Sequence, residues 1–172
     1  MYLISSCLAG VQCRYDGKGY VDKTVMEIVN RGEAILVCPE VLAGLPTPRP
    51  RCERREYKAN NQDENKNDLS DAQTNKEGEG ITENQIRIIC EDGRDLSKEF
   101  QLGAQKVLAI AKEADVTLAI LKSKSPSCGK GVIYDGSFTG TMTEGNGVTA
   151  ELLLQNGIKV ITEKELTANN FS

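Results

Sequence analysis

Short apolar runs, each set between polar and glycine-rich intervals, define the layout of this chain. Tyr2 to Ser6 is a β-prone run ending at Cys7, and Ala34-Ile35-Leu36-Val37 is a second, ending at Cys38-Pro39-Glu40. Ile86-Arg87-Ile88-Ile89 ends at Cys90, Val116 to Leu121 runs into Ser123-Lys124-Ser125-Pro126-Ser127-Cys128, and Ile158 to Ile161 is a last run. Runs this short, bounded by turn residues, read as buried strands. Helical spacing falls between them. Asp22 caps a helix from Lys23 to Arg31 with Val25, Ile28 and Val29 on one face, and Gly32 stops it. Asp95 is the expected N-cap of a longer helix, Leu96 to Ala114, with Phe100, Val107, Leu108 and Ala111 inward. A third helix starts near Asn146, carries Leu152 to Leu154 and stops at Gly157. Thr162-Glu163-Lys164-Glu165 matches a capping box for a short terminal helix. Strand, loop, helix, strand in this order implies right-handed parallel crossovers. The pattern predicts a single-domain α/β fold, a mostly parallel Rossmann-like sheet flanked by helices. Its site belongs at the carboxyl ends of the strands.

Two stretches depart from this rhythm. Leu45-Pro46-Thr47-Pro48-Arg49-Pro50-Arg51 is barred by its prolines from helix and central strand, and reads as an extended loop, with a short helix expected before it near Val41 to Ala43. It opens a basic patch of Arg49, Arg51, Arg54 and Arg55, expected either to pair with Glu53 and Glu56 or to meet an anion. At about 57–83 the composition turns to Asn, Gln, Asp, Glu, Lys and Gly, the mark of a flexible insertion within one domain spanning 1–172.

Composition narrows the chemistry. The 172 residues are 39% apolar with a net charge of −4, which suits one aliphatic core and argues against nucleic acid or an anionic membrane as partner. No apolar run approaches the ~18 residues of a membrane span, and the first residues lack signal-peptide character, so a cytoplasmic protein is expected. Six cysteines in such a chain argue against a disulfide scaffold. Histidine is absent, which removes Ser-His-Asp and Cys-His catalysis and every site with a histidine ligand. Thiolate chemistry is what remains.

Three strands lead into a loop through a cysteine: Cys7, Cys38 and Cys128. Parallel neighbours lie about 4.8 Å apart, so these thiols can converge on one inorganic centre. Any one cysteine alone is more often a small buried hydrophobe, and Cys52 and Cys90 are read that way. Cys13 shares a loop with Cys7 and is within reach of the same place. The spacing is neither that of a zinc ribbon nor that of a compact ferredoxin run.

Ser6-Cys7-Leu8-Ala9-Gly10 with Arg14-Tyr15-Asp16-Gly17, Cys38-Pro39-Glu40-Val41 with Gly44-Leu45-Pro46-Thr47-Pro48-Arg49, and Ser125-Pro126-Ser127-Cys128-Gly129 resemble the bacterial thiouracil desulfurase family. Gly93-Arg94-Asp95, Tyr134-Asp135-Gly136-Ser137-Phe138 and Gly147-Val148-Thr149-Ala150 extend the likeness. Cys52 departs from it, standing where a small apolar residue is expected, and the polar insertion is longer than usual. The resemblance implies a [4Fe-4S] cluster on Cys7, Cys38 and Cys128 whose fourth iron, free of a protein ligand, takes the sulfur of a thiolated pyrimidine such as 2-thiouracil, giving uracil and sulfide. Among groups able to move protons near such a cluster, Glu40 stands first and Asp16 second, and the resemblance favours Ser123 as a further participant. Ser123, Ser125 and Ser127 are expected to donate hydrogen bonds to substrate or cluster sulfur. Asp16 also reads as a turn residue, and Glu40 as a cap or ion-pair carboxylate. The expected partner is a small-molecule thiolated base; oligomeric state is open. The rival reading is a non-catalytic metal-binding or redox module using Cys7, Cys13, Cys38 and Cys128.

Overall fold

The computed structural model describes residues 1–57 and 85–166. Four strands form a parallel sheet in the order β2-β1-β5-β8: β1 is Tyr2–Ser5, β2 Ala34–Val37, β5 Leu118–Leu121 and β8 Lys159–Thr162. Consecutive residues point to opposite faces of a strand. Leu3, Ala119 and Val160 therefore face one way, against α3 (Ser97–Glu113) and α4 (Val148–Gln155). Ile4, Ile120 and Ile161 face the other way, against Val25 and Ile28 of α1 (Lys23–Asn30). Helices on both faces explain why these strands are apolar throughout rather than alternating.

The helix signals act largely as the sequence predicts. The Asp22 carboxylate accepts the Val25 amide at 3.1 Å, and Gly32 takes the left-handed conformation after α1. The Asp95 carboxylate accepts the Ser97 amide at 2.9 Å; Leu96 sits at the cap position itself, and the helix starts one residue later than expected. The capping box at Thr162–Glu165 is present, over a short 3₁₀ turn. The expected short helix is α2, Pro39–Leu42.

Two small antiparallel ribbons lie outside the main sheet, and of their four strands only the one holding the expected Ile86–Ile89 run follows the apolar pattern. β3 (Cys52–Tyr57) pairs with β4 (Gln85–Cys90), and β6 (Val132–Tyr134) pairs with β7 (Met142–Glu144). β3 reads Cys-Glu-Arg-Arg-Glu-Tyr and owes its place to polar contacts. Arg54 donates to the Asn146 carbonyl, and Arg55 to the Gly136 carbonyl at 2.7 Å. The fully buried Glu53 accepts the amides of Gly136 and Phe138 at 3.1 and 3.0 Å.

One expectation is corrected here. Cys52 and Cys90 are not separate packing residues: they face each other in the β3–β4 ladder and form a disulfide. Antiparallel pairing sets their Cβ atoms opposite each other, and that pairing could not be anticipated while β3 went unrecognised. The polar insertion expected over about 57–83 lies outside the described residues except for Tyr57, which ends β3. No helix among the described residues is long and apolar enough to cross a membrane.

Candidate active site

The strand order brings the cysteines together. β1 lies between β2 and β5 with all three parallel, so whatever follows each strand leaves the same edge side by side. Cys7 sits in the 3₁₀ turn directly after β1, Cys38 caps α2 directly after β2, and Cys128 lies further along the loop after β5. That loop must return to the rim, and its hydrogen bonds show how. The Ser125 hydroxyl accepts the amides of Ser127 and Cys128, both at 3.1 Å, closing a tight turn. The first amides of a helix lack partners within it. Those of α4 donate instead to loop carbonyls, Val148 to Pro126 at 3.0 Å and Thr149 to Ser127 at 2.9 Å. Gly147 allows the approach, since a Cβ there would overlap the Ser127 carbonyl group and the Cys128 amide.

These loops enclose a cavity of about 230 Å³. Cys7, Cys13, Cys38 and Cys128 line it, with Glu40, Arg49, Lys122 and Ser123. Cys7, Cys13 and Cys128 are buried free thiols, and Cys38 is half-buried. Burial pushes the Cys128 thiol up to about 12 against hydrogen bonding from Ser5 and Ser127. A hydrogen bond with Cys38 pulls the Cys13 thiol down, but one with Cys7 together with burial outweighs it, raising Cys13 to about 11. Contact with Cys13 and burial push the Cys38 thiol up as well. Crowded, buried thiols resist becoming thiolates without a cation to compensate them. A metal cofactor held there would provide that compensation.

Arg49 is the clamp of the site. Its side chain is only 4% exposed, and it holds Glu40 through Nε and Nη2 on the same oxygen, Oε2, at 2.6 and 2.5 Å. Its other donors go to the Pro46 carbonyl and Thr47 hydroxyl, both at 3.1 Å, and to the Cys13 carbonyl at 3.0 Å. One guanidinium thus ties the Cys13 loop, the proline-rich loop and α2 together. Burial pushes the Glu40 carboxyl up while Arg49 pulls it down, and burial wins. The basic patch accordingly serves the interior: Arg49 holds Glu40, while Arg54 and Arg55 staple β3 to neighbouring loops.

Ser123 lines the cavity, but its hydroxyl is already committed to the Glu163 carboxylate at 2.5 Å. Asp16 does not line the cavity. It closes the loop turn, ion-paired to Arg14 at 3.2 Å and accepting the Lys18 amide at 3.2 Å, while Arg14 and Tyr15 face the cavity beside it. Sequence reasoning missed the roles of Arg49, Lys122 and Glu163. The spacing of Arg49 after Cys38-Pro39-Glu40 is visible in the chain, but no local pattern reveals that Glu163 meets Ser123.

The donor set, four thiols on one cavity wall with no histidine beside them, is soft and suits iron–sulfur chemistry.

The chain is similar to known proteins along nearly all of its length. Residues 2–165 match the 2-thiouracil desulfurase family model. An uncharacterized Bacillus subtilis (strain 168) protein, YbbK, is 38% identical over 166 residues, covering 96% of this chain and 97% of its own. The solved structure of the [4Fe-4S]-dependent thiouracil desulfidase TudS superposes with a TM-score of 0.74 at 34% identity, covering 96% of this chain and 91% of that one. With a match over nearly its whole length, the chain belongs to the 2-thiouracil desulfurase family.

Proposed function

We propose that the protein is a [4Fe-4S]-dependent desulfurase that removes sulfur from a thiolated pyrimidine such as 2-thiouracil, giving uracil and sulfide. The observation that carries this reading is the meeting of Cys7, Cys38 and Cys128 with Glu40 on one cavity. Cys7, Cys38 and Cys128 would hold the cluster, which would supply a soft Lewis acid for a thiocarbonyl sulfur. The family name and the TudS structure support the substrate class and the cofactor.

The remaining work falls to the protein's own groups. Water must attack the thiocarbonyl carbon and lose a proton. Glu40 is the group we assign to take it: Arg49 occupies Oε2, leaving Oε1 for water. Its raised carboxyl pKa makes it a better proton acceptor than an exposed glutamate. The carbon gains oxygen and loses sulfur at an unchanged oxidation level, so no electron carrier is needed. Pro39, Pro126 and Phe100 in the cavity wall offer a planar base an apolar surface. The whole chain acts as one domain on a free base in the cytoplasm.

Cys13 is the observation that favours the rival reading, since a fourth thiol in the wall could close the site. Anaerobic reconstitution with iron and sulfide, followed by iron counting, visible absorption and assay of sulfide release from 2-thiouracil, separates the two. Expected are about four irons per chain and sulfide release, with iron lost in Cys7→Ser, Cys38→Ser and Cys128→Ser but retained in Cys13→Ala. Iron loss in Cys13→Ala, or a stable cluster without sulfide release, would overturn the open-site reading.

A further inference from the structure

β8 lies beside β5 with Thr162 opposite Leu121, so Glu163 leaves the sheet next to Lys122 and Ser123. Read from the chain, Glu163 is an interior residue of a capping box, and the capping itself is done by Thr162 and Glu165. Glu163 bonds elsewhere. Its Oε2 accepts the Ser123 amide at 2.7 Å, and its Oε1 accepts both the Ser123 hydroxyl and the Lys122 ammonium at 2.5 Å. Lys122 also donates to Ser123 Oγ at 3.2 Å. The Glu163 side chain is 8% exposed, while Lys122 and Ser123 line the cavity. Burial pushes the Glu163 carboxyl up, but the hydrogen bonds from Lys122 and Ser123 outweigh it and hold it below the ordinary glutamate range.

These contacts force the polarity of Ser123. A carboxylate only accepts and an ammonium only donates, whereas a hydroxyl has one hydrogen and two acceptor lone pairs. The hydrogen goes to Glu163, and one lone pair takes Lys122. Only a lone pair is left for the cavity, so Ser123 cannot serve there as the hydrogen-bond donor expected from sequence.

We propose that the Lys122–Glu163 pair fixes Ser123 as a hydrogen-bond acceptor toward the cavity, selecting substrates that present a ring N–H beside the thiocarbonyl. This rests on the desulfurase reading and names the part of the substrate that Ser123 recognises. A 2-thiouracil ring carries an N–H on each side of its C=S group, and its product uracil keeps both. Glu163 is a positioning residue, acting through Ser123. Glu163→Gln is nearly isosteric but offers one oxygen and one NH₂ group where two oxygens stood. If the oxygen keeps the Ser123 amide, the NH₂ faces Ser123 Oγ, and the hydroxyl hydrogen turns into the cavity.

The test is the binding of uracil, 1-methyluracil and 3-methyluracil, by calorimetry, to reconstituted and to cluster-free protein. The wild type should favour uracil over one of the methyl derivatives by about tenfold or more, the worth of a hydrogen bond lost at an acceptor in the cavity wall. Glu163→Gln should erase that preference by weakening uracil, while the disfavoured derivative changes little; Glu163→Asp should restore part of it. Ser123→Ala should also erase it, and adding Glu163→Gln to Ser123→Ala should change nothing further. In turnover, Glu163→Gln should raise KM for 2-thiouracil more than it lowers kcat. Equal weakening of all three ligands, or an unchanged preference in Glu163→Gln, overturns the proposal and leaves the desulfurase reading standing. No uracil binding and no 2-thiouracil turnover by wild-type protein overturns both.

Discussion

Replacing Arg49 by methionine tests the clamp directly. The side chain is 4% exposed and its partner Glu40 15%, so the pair is held almost out of water. Methionine fills much of the same volume but leaves Glu40 without its cation. It also strips the Pro46 and Cys13 carbonyls and the Thr47 hydroxyl of a donor. Breaking a buried ion pair from one side costs about 3–5 kcal/mol, because the remaining charge stays buried and uncompensated. For a chain of this size that corresponds to a Tm lower by roughly 6–20 °C. Urea denaturation of the cluster-free protein would read the loss. The double variant Glu40→Gln with Arg49→Met is the sharper measurement, since removing the carboxylate charge also removes the need for the guanidinium. It should recover at least about 1–2 kcal/mol of what Arg49→Met loses. A loss below about 1 kcal/mol in Arg49→Met, or strict additivity in the double variant, would refute the clamp. The reconstituted Arg49→Met protein should also turn over far more slowly, because Glu40 loses its orientation.

Three further outcomes are expected. Gly103 in α3 lies so close to the Pro39 carbonyl that a Cβ would overlap it, so Gly103→Ala should push α3 from the Cys38-Pro39-Glu40 turn, cost about 1–3 kcal/mol in denaturation and lower iron occupancy after reconstitution. The Cys52–Cys90 disulfide spans a sequence separation of 38. Chain entropy then makes it worth about 3–4 kcal/mol, so reductant should lower stability by that order, and alkylation of unreduced, unfolded protein should label Cys7, Cys13, Cys38 and Cys128 but not this pair. The largely buried Glu163 has a carboxyl pKa held below its unfolded value, so its contribution to stability is complete above the ordinary glutamate range and is lost as pH falls through the folded value. Glu163→Gln should therefore flatten the acid limb of a stability-against-pH curve, and an unchanged limb would show that the Lys122–Glu163–Ser123 contacts carry no such linkage.

The parts legible in the chain were those whose information is local. The four main strands announce themselves as apolar runs, α1 through its Asp22 cap and Gly32 stop, and the final turn through Thr162 to Glu165. Cys7 and Cys38 could be placed at a rim because each directly follows its strand. β3 was hidden because its pairing rests on Glu53, Arg54 and Arg55 reaching backbone groups far away in sequence, and a Cys-Glu-Arg-Arg-Glu-Tyr run carries no such signal. The disulfide was hidden with it.

By itself, the sequence excluded histidine-based chemistry and placed thiols near strand ends in a covered parallel sheet. Only the tertiary structure decided that the strand order β2-β1-β5-β8 sets Cys7 between Cys38 and Cys128. It also set Arg49 on Glu40, left Asp16 outside the cavity and bound the Ser123 hydroxyl to Glu163. The reason is physical. Residue type and spacing fix which groups a strand can carry to its end, but the polarity and charge state of each group there depend on neighbours delivered by other strands. Strand order comes from packing the whole chain, and no short stretch encodes it.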